Sequence, residues 1–261
     1  MSGAATVIDA ARGLRPRVFD RSVPNAGDAH AAATLARLEA QAEGRDASGI
    51  LALALKEEFE GRVAVISSFG SESVVLLHLV SEIAPNTPIL FLNTGKLFGE
   101  TLRYRDRLQD ALGLGDVRSI GPDASDRQAR DPEGTLWSRD ADACCDFRKT
   151  VPIRRALEGF AAQVTGRKRF QTHARAAMRR VEYYEGRFRF NPLADWTRED
   201  LDAYIAARNL PSHPLVEDGY PSIGCIPCTR RVRDGERYRD GRWSGLDKDE
   251  CGIHGLDGEG I

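Results

Sequence analysis

Short apolar runs that alternate with longer amphipathic stretches constrain this chain more than any other feature. Arg62 to Ser68 carries Val63-Ala-Val-Ile66, Ile89-Leu-Phe-Leu92 is a second run of the same kind, and Asp116 to Ile120 makes a short third strand. Runs of strand length that are apolar throughout fit strands covered on both faces. The first leads through Phe69-Gly70-Ser71 into a helical pattern ending near Ile83, and the second through Asn93-Thr-Gly95 into one from about Gly99 to Leu112. Buried strands joined by helices pair in parallel through right-handed crossovers, and such sheets hold ligands at the carboxyl ends of their strands. The expected binding loops are therefore Ser67 to Ser73 and Asn93 to Lys96.

The remaining chain supplies cover and connections. Ala31 to about Glu43 and Gly49 to Phe59 read as helices on one face of the sheet, the second with Leu51, Leu55 and Phe59 at a spacing of four and Asp46 or Ser48 as N-cap. Asp123 to Ala143 is polar and receives no element. A helix from about Phe147 to Leu157, a strand end at Gln163-Val-Thr-Gly166 and an alternating strand over Gly186 to Asn191 follow. Thr197-Arg-Glu-Asp200 opens a capped helix to Arg208. Beyond Pro211 the prolines, glycines and charges predict long loops and short helices.

Five cysteines stand out against this background. Cys144 and Cys145 are adjacent, Cys225 and Cys228 form a C-x-x-C pair, and Cys251 stands alone in Glu250-Cys-Gly-Ile-His254. Four ligands and one nucleophile is the sharpest reading. Two pairs suit either zinc or an iron-sulfur cluster. Neighbouring residues have Cα atoms ~3.8 Å apart with diverging side chains, so Cys144 and Cys145 converge poorly on one ion, whereas a four-iron cluster offers each sulfur its own iron. A thioredoxin-like redox pair at 225 and 228, or plain buried thiols, are the alternatives.

With 261 residues, 41% hydrophobic and 29% charged, the chain has the make-up of a soluble globular protein with one substantial core. No apolar run approaches the ~20 residues of a membrane span; the longest, Ile50 to Leu55, ends at Lys56. No secretory signal is visible near Arg12, Arg15 and Arg17, so the expected compartment is the cytoplasm, without a membrane partner. A net charge of −2 argues against general nucleic-acid binding. Yet basic residues cluster from Arg167 to Arg189 and again as Arg230, Arg231, Arg233, Arg237, Arg239 and Arg242. The second cluster follows the C-x-x-C directly and reads either as a solvated face or as part of an anionic small-molecule site. Ser67-Ser-Phe-Gly-Ser-Glu-Ser73 can serve as an anion loop at a helix N-terminus. It lacks the Gly-x-x-x-x-Gly-Lys of a P-loop, and its serines could simply cap the helix.

Seven blocks, in order, resemble the assimilatory adenylyl-sulfate and phosphoadenylyl-sulfate reductases. They are SSFGSES (Ser67 to Ser73), LNTGKLFGET (Leu92 to Thr101), CCDFRK (Cys144 to Lys149), TGRKRFQ (Thr165 to Gln171), NPLADWT (Asn191 to Thr197), SIGCIPCTR (Ser222 to Arg230) and ECGIH (Glu250 to His254). The resemblance implies an α/β fold of the adenine nucleotide α-hydrolase (ATP pyrophosphatase-like) type, without that group's Ser-Gly-Gly-x-Asp-Ser pyrophosphate loop. It divides the chain into a loose arm (1–27), a nucleotide-binding and iron-sulfur domain (28–228) and a mobile catalytic tail (229–261).

By the same resemblance the activity is reduction of adenylyl sulfate (APS) to sulfite and AMP, with a 4Fe-4S cluster on Cys144, Cys145, Cys225 and Cys228. Cys251 carries an S-sulfonate intermediate that thioredoxin, or a glutaredoxin-like reductant, resolves. Ser67, Ser68, Phe69, Gly70, Leu92, Thr94 and Gly166 are the implied adenosine contacts; Lys149, Arg239, Arg242 and His254 are those of the phosphosulfate. Homo-oligomerisation is compatible with this assignment. Two departures from the family pattern bear on it. Asn93 stands where the family usually has Asp, and the added charge of Lys168 and Arg169 could accommodate a 3′-phosphate, which would make the chain a reductase of 3′-phosphoadenylyl sulfate (PAPS). An iron-sulfur thiolation enzyme and a zinc-stabilised anion-binding module are the rival readings.

Overall fold

The computed structural model describes residues 28–245 together with Lys248 and Glu250. The arm expected over 1–27, Cys251 and His254 lie outside the described residues. Two helices open the described chain, α1 (Ala29–Ala42) and α2 (Ala47–Ala52), the latter running into a π-helical turn over Leu53–Glu58. Asp28 and Asp46 cap them by accepting from Ala31 N and Gly49 N.

The strands β1 (Val63–Ser67), β2 (Ile89–Leu92), β3 (Val117–Ile120), β4 (Ala162–Thr165), β5 (Val181–Tyr184) and β6 (Arg187–Phe190) form a six-stranded sheet in the order β3-β2-β1-β4-β6-β5. All pairings are parallel except the β5–β6 hairpin. The chain winds outward from β1 through α3 (Ser73–Ile83) to β2, and through α4 (Gly99–Leu112) to β3. It then returns through α5 (Ala124–Arg130), α6 (Leu136–Arg139), α7 (Ala141–Cys145) and α8 (Val151–Ala156) to place β4 on the other side of β1. The direction of winding thus reverses between β1 and β4. A crevice opens at the carboxyl ends of strands at such a reversal.

Alternate residues of the apolar runs face two separate cores, which is why the runs show no polar period. Val63, Val65, Ile89 and Phe91 pack with α1 to α3 and with Leu201 of α9 (Arg198–Ala207), while Ala64, Ile66, Leu90 and Leu92 pack with Ile153 and Leu157 on the opposite face. Thr197 and Asp200 close the expected capping box at the start of α9. Among the described residues no helix is long and apolar enough to cross a membrane.

The architecture is the expected α/β sheet, with three local differences. The polar stretch from Asp123 contains α5 and α6, and α5 buries none of its residues. The helix expected from Phe147 begins earlier, as α7, and continues through a π-helical turn (Asp146–Thr150) into α8. A strand that was not expected, β5, pairs with β6 across a two-residue turn in which Glu185 and Gly186 have φ of 49° and 78°, the left-handed geometry of a tight hairpin.

Candidate active site

At the reversal point, the β1–α3 loop, the β2–α4 loop and the segment after β4 surround a cleft that opens to solvent. Ser67, Ser68, Gly70, Leu92, Thr94, Lys149, Gly166, Arg239 and Arg242 all line it, gathering nine of the expected contacts on one surface. Phe69 behaves differently. Its side chain is fully buried edge-on against Phe91, with ring centroids 5.2 Å apart, and its φ is 50°. Ser67 Oγ accepts from Phe69 N at 3.2 Å, and it is the flanking Ser68 and Gly70, not Phe69, that line the cleft.

The four described cysteines line a second, smaller cavity with Lys96, Trp137, Arg148 and Lys149. Cys144, Cys145 and Cys225 are buried and Cys228 is partly so; none of the four is in a disulfide. Burial, then the neighbouring Cys145, pushes the Cys144 thiol up to about 11, and burial also raises Cys228. Among the described residues, no three or more side chains of His, Cys, Asp or Glu are grouped so as to hold a single metal ion. Lys149 and Cys225 belong to the walls of both cavities, so the cysteine site and the cleft are adjoining rooms.

Three chain segments are fastened together at Thr94. Its hydroxyl lies 3.2 Å from Cys225 Sγ, and its carbonyl accepts from Arg148 Nη1 at 2.8 Å. The loop after β2 also meets the C-x-x-C segment through Ile226 N, which donates to Lys96 O at 2.8 Å, and through a bridge between Leu97 and Cys225. Arg148 is itself fixed by Asp131 at 2.5 Å, with side-chain exposures of 5% and 0%. Asn93 Oδ1 accepts from Gly95 N at 3.2 Å, so the amide makes the loop's turn where the family pattern has a carboxylate. Gly95 has φ of 70°, a conformation that favours glycine.

The C-terminal cations approach from the far side. Lys149 lies 5.9 Å from the ring centre of Trp243, and the Arg242 guanidinium stacks on the same ring at 4.4 Å while donating to Ile223 O. A Cβ on Gly224 would lie 2.3 Å from that guanidinium, so a side chain there would displace Arg242. Of the acidic neighbours, Asp240 pairs with Arg237 and Glu236 with Arg230.

Several lining residues carried no separate signal in the sequence. Glu72, Gln171, Arg175, Tyr238 and Glu250 all face the cleft. Glu250 is buried, accepts from Arg175 Nη2 at 2.6 Å and from Thr172 Oγ1 at 2.8 Å, and is thereby held at the cleft wall. Lys248 pairs with Asp142 on the cysteine-bearing helix. The Tyr238 hydroxyl and the Trp243 indole N–H are buried without hydrogen-bond partners among the described residues. The unexpected strand β5 matters here too: its Glu182 neutralises buried Arg167 of the loop after β4, with Asn191 bridging the two. The two cations that could have met a 3′-phosphate are both engaged, Lys168 by Glu72 and Arg169 by Asp195.

Comparison with known proteins accords with this geometry. Residues 62–231 match the phosphoadenosine phosphosulfate reductase domain. The chain is 50% identical over 195 residues to the adenosine 5′-phosphosulfate reductase of Chelativorans sp., covering 75% of this chain and 80% of that one. It is 47% identical over 205 residues to the enzyme of the same name from Mesorhizobium japonicum, covering 78% and 81%. The solved structure of a phosphoadenylyl-sulfate reductase from Candida auris superposes with a TM-score of 0.64 at 22% identity, over 76% of this chain and 96% of the other, which speaks to the fold. With its domain matched from β1 to the C-x-x-C and its relatives aligned over most of their length, the chain belongs to the phosphoadenosine phosphosulfate reductase family.

Proposed function

We propose that this protein reduces adenosine 5′-phosphosulfate to sulfite and AMP in sulfate assimilation, with Cys251 as nucleophile and thioredoxin or a glutaredoxin-like dithiol protein as reductant. The observation that carries the reading is the shared wall: Lys149 and Cys225 border both the cleft at the sheet's reversal point and the four-cysteine cavity. The names of the relatives support the substrate, as does the engagement of Lys168 and Arg169 by carboxylates.

In this reading Ser67, Ser68, Gly70, Leu92, Thr94 and Gly166, with the backbone of Phe69, hold the adenosine. Lys149, Arg239, Arg242 and His254 hold the phosphosulfate, and the orphaned donors of Tyr238 and Trp243 suit an oxygen-rich ligand. The Cys251 thiolate attacks the sulfate sulfur. An S–S bond forms, the S–O bond to the bridging oxygen breaks, and its electron pair leaves with AMP, whose phosphate needs no added proton. Cations around the bridging oxygen stabilise the charge that moves there, and they also favour the thiolate of Cys251. A thiolate of the reductant then attacks Sγ of Cys251 and expels sulfite. Its second thiol resolves the mixed disulfide, so the dithiol supplies the two electrons that reduce the sulfur. Residues 229–261 act as the tail that delivers Cys251, and the enzyme works in the cytoplasm.

Cys144, Cys145, Cys225 and Cys228 would hold a 4Fe-4S cluster. Four thiols around one cavity, three of them buried and two adjacent in sequence, suit a group that gives each sulfur its own iron better than a single ion. When bound, the cluster supplies a fixed electrostatic influence beside Lys149. Protein purified without oxygen is expected to be brown, absorbing near ~400 nm with about four irons and four sulfides per chain; one zinc and no iron would refute the assignment.

The deciding experiment compares thioredoxin-dependent sulfite release from APS and from PAPS at equal concentration. APS should be turned over faster, and preference for PAPS would reverse the reading. Lys149→Ala should weaken binding of intact substrate by roughly 1.5–3 kcal/mol while affecting AMP less, because the lost charge-assisted contact is to the sulfate end. Calorimetric titration of both ligands checks this, and equal losses would remove Lys149 from the sulfate.

A further inference from the structure

A cleft for an anionic nucleotide contains a carboxylate of its own. Glu72, where the β1–α3 loop enters α3, lines the cleft with 12% of its side chain exposed. Its Oε2 receives Lys168 Nζ at 2.5 Å and Gln171 Nε2 at 2.7 Å, and its Oε1 receives Arg198 Nη1 at 3.3 Å. Lys168 is only 3% exposed. Burial works against the Glu72 charge, but the Lys168 ammonium and then Arg198 hold the carboxyl below its usual range. The negative charge reaches further into the cleft: after burial itself, Glu72 is the influence that raises the Tyr238 hydroxyl.

Fold stability alone gives little reason for this pair, since buried ion pairs are often no better than apolar packing of the same volume. Ligand selection does. We propose that Glu72 is a specificity-determining residue: by cancelling the charge of Lys168 it restricts the cleft to nucleotides whose only anionic group is at the 5′ position, and disfavours those carrying an additional ribose phosphate. This rests on the nucleotide reading of the cleft and adds which nucleotides it takes. A second phosphate would enter a lobe that already holds a desolvated carboxylate, and discrimination of this kind is built from repulsion as much as from attraction. The other cations nearby have carboxylates of their own: Arg198, the second partner of Glu72, also pairs with Asp202, Arg169 with Asp195, and Arg175 with Glu250.

The test is calorimetric titration of AMP and of adenosine 3′,5′-bisphosphate into the intact protein and into Glu72→Gln, which keeps the shape and removes the charge. The unmodified protein should bind AMP about tenfold or more tightly than the bisphosphate, and Glu72→Gln should move that ratio about tenfold toward the bisphosphate. Adding Lys168→Met to Glu72→Gln removes both charges and should return the ratio toward its original value. An unmodified protein that binds the two nucleotides equally overturns the proposal, whether or not the variant folds. So does a Glu72→Gln protein whose two affinities change by the same factor. Binding of neither nucleotide would instead contradict the reading of the cleft itself.

Discussion

Cys251→Ser is expected to abolish sulfite release, by roughly 10⁴-fold or more, while leaving AMP affinity and iron content unchanged. A serine hydroxyl is almost wholly protonated at neutral pH and is a far weaker nucleophile than a thiolate. The change falls outside the four cysteines that line the second cavity, so the cofactor site should survive it. The unmodified protein offers a complementary measurement. Given APS and no reductant, it should release about one AMP per chain and stall, since covalent catalysis halts when its second step is withheld. Mass spectrometry should then find one added SO₃ on the peptide bearing Cys251. The group on Cys225 or Cys228, or activity retained by Cys251→Ser, would overturn the division of labour. The neighbouring residue Glu250 lines the cleft, its carboxylate held inside by Arg175 and Thr172.

A second large effect is expected on stability. Asp131→Asn keeps the volume of the side chain but leaves the Arg148 guanidinium buried without its counter-charge, which should cost about 3–5 kcal/mol. Denaturant titration measures it, and a loss under about 1 kcal/mol would mean that the pair behaves like a surface one. The pH dependence has a definite sign. Burial opposes the Asp131 charge, but the Arg148 hydrogen bond and the backbone donor of Leu136 hold the carboxyl below its ordinary value. A depressed carboxyl stabilises fully above its unfolded value of about 3.9 and loses that contribution as pH falls through the lower folded value. The unmodified protein should therefore lose this part of its stability in acid below about pH 4, and Asp131→Asn should lack that component. The consequence would extend beyond folding, since Arg148 also holds the carbonyl of Thr94 beside Cys225.

Much of the sheet was legible because β1 and β2 are buried on both faces, and a residue run that faces two cores has to be apolar throughout. The helix α4 matched its expected bounds, Gly99 to Leu112, because Tyr104 and Leu108 are buried four apart while its other face carries charge. The strand β5 escaped notice because Glu182 interrupts it, and that glutamate is buried against Arg167, which follows another strand, and against Arg189 and Asn191. No local pattern encodes such a partnership. The same limit applies to Glu72 and Lys168, far apart in sequence, whose charges look like two contributions to a surface until the fold joins them. Helix α5 buries no residue, so there was no apolar period to find. Among the site residues, the expected contacts that line the cleft include Arg239 and Arg242 from outside the seven blocks, whereas Glu72, Gln171 and Glu250 inside them, and Arg175 and Tyr238 outside them, were not singled out and emerged only from the cleft.

The placement of the cysteines has a consequence for the order in which the molecule is made. Cys144 and Cys145 lie on α7, before β4, whereas Cys225 and Cys228 follow α9; between them the chain lays down β4, β5, β6 and α9. The two halves of the second cavity can therefore meet only late, after β4 has crossed back beside β1 and the hairpin has docked. Long-range parallel pairing is the slow part of folding, so the thiols should wait, separated and reduced, until the sheet is nearly complete. The proposed cluster, in bridging them, would close one long loop in the unfolded ensemble and add stability. Loading would act as a timing step that seals a finished sheet, and a chain that stalls before β6 would present half a site with nothing to hold.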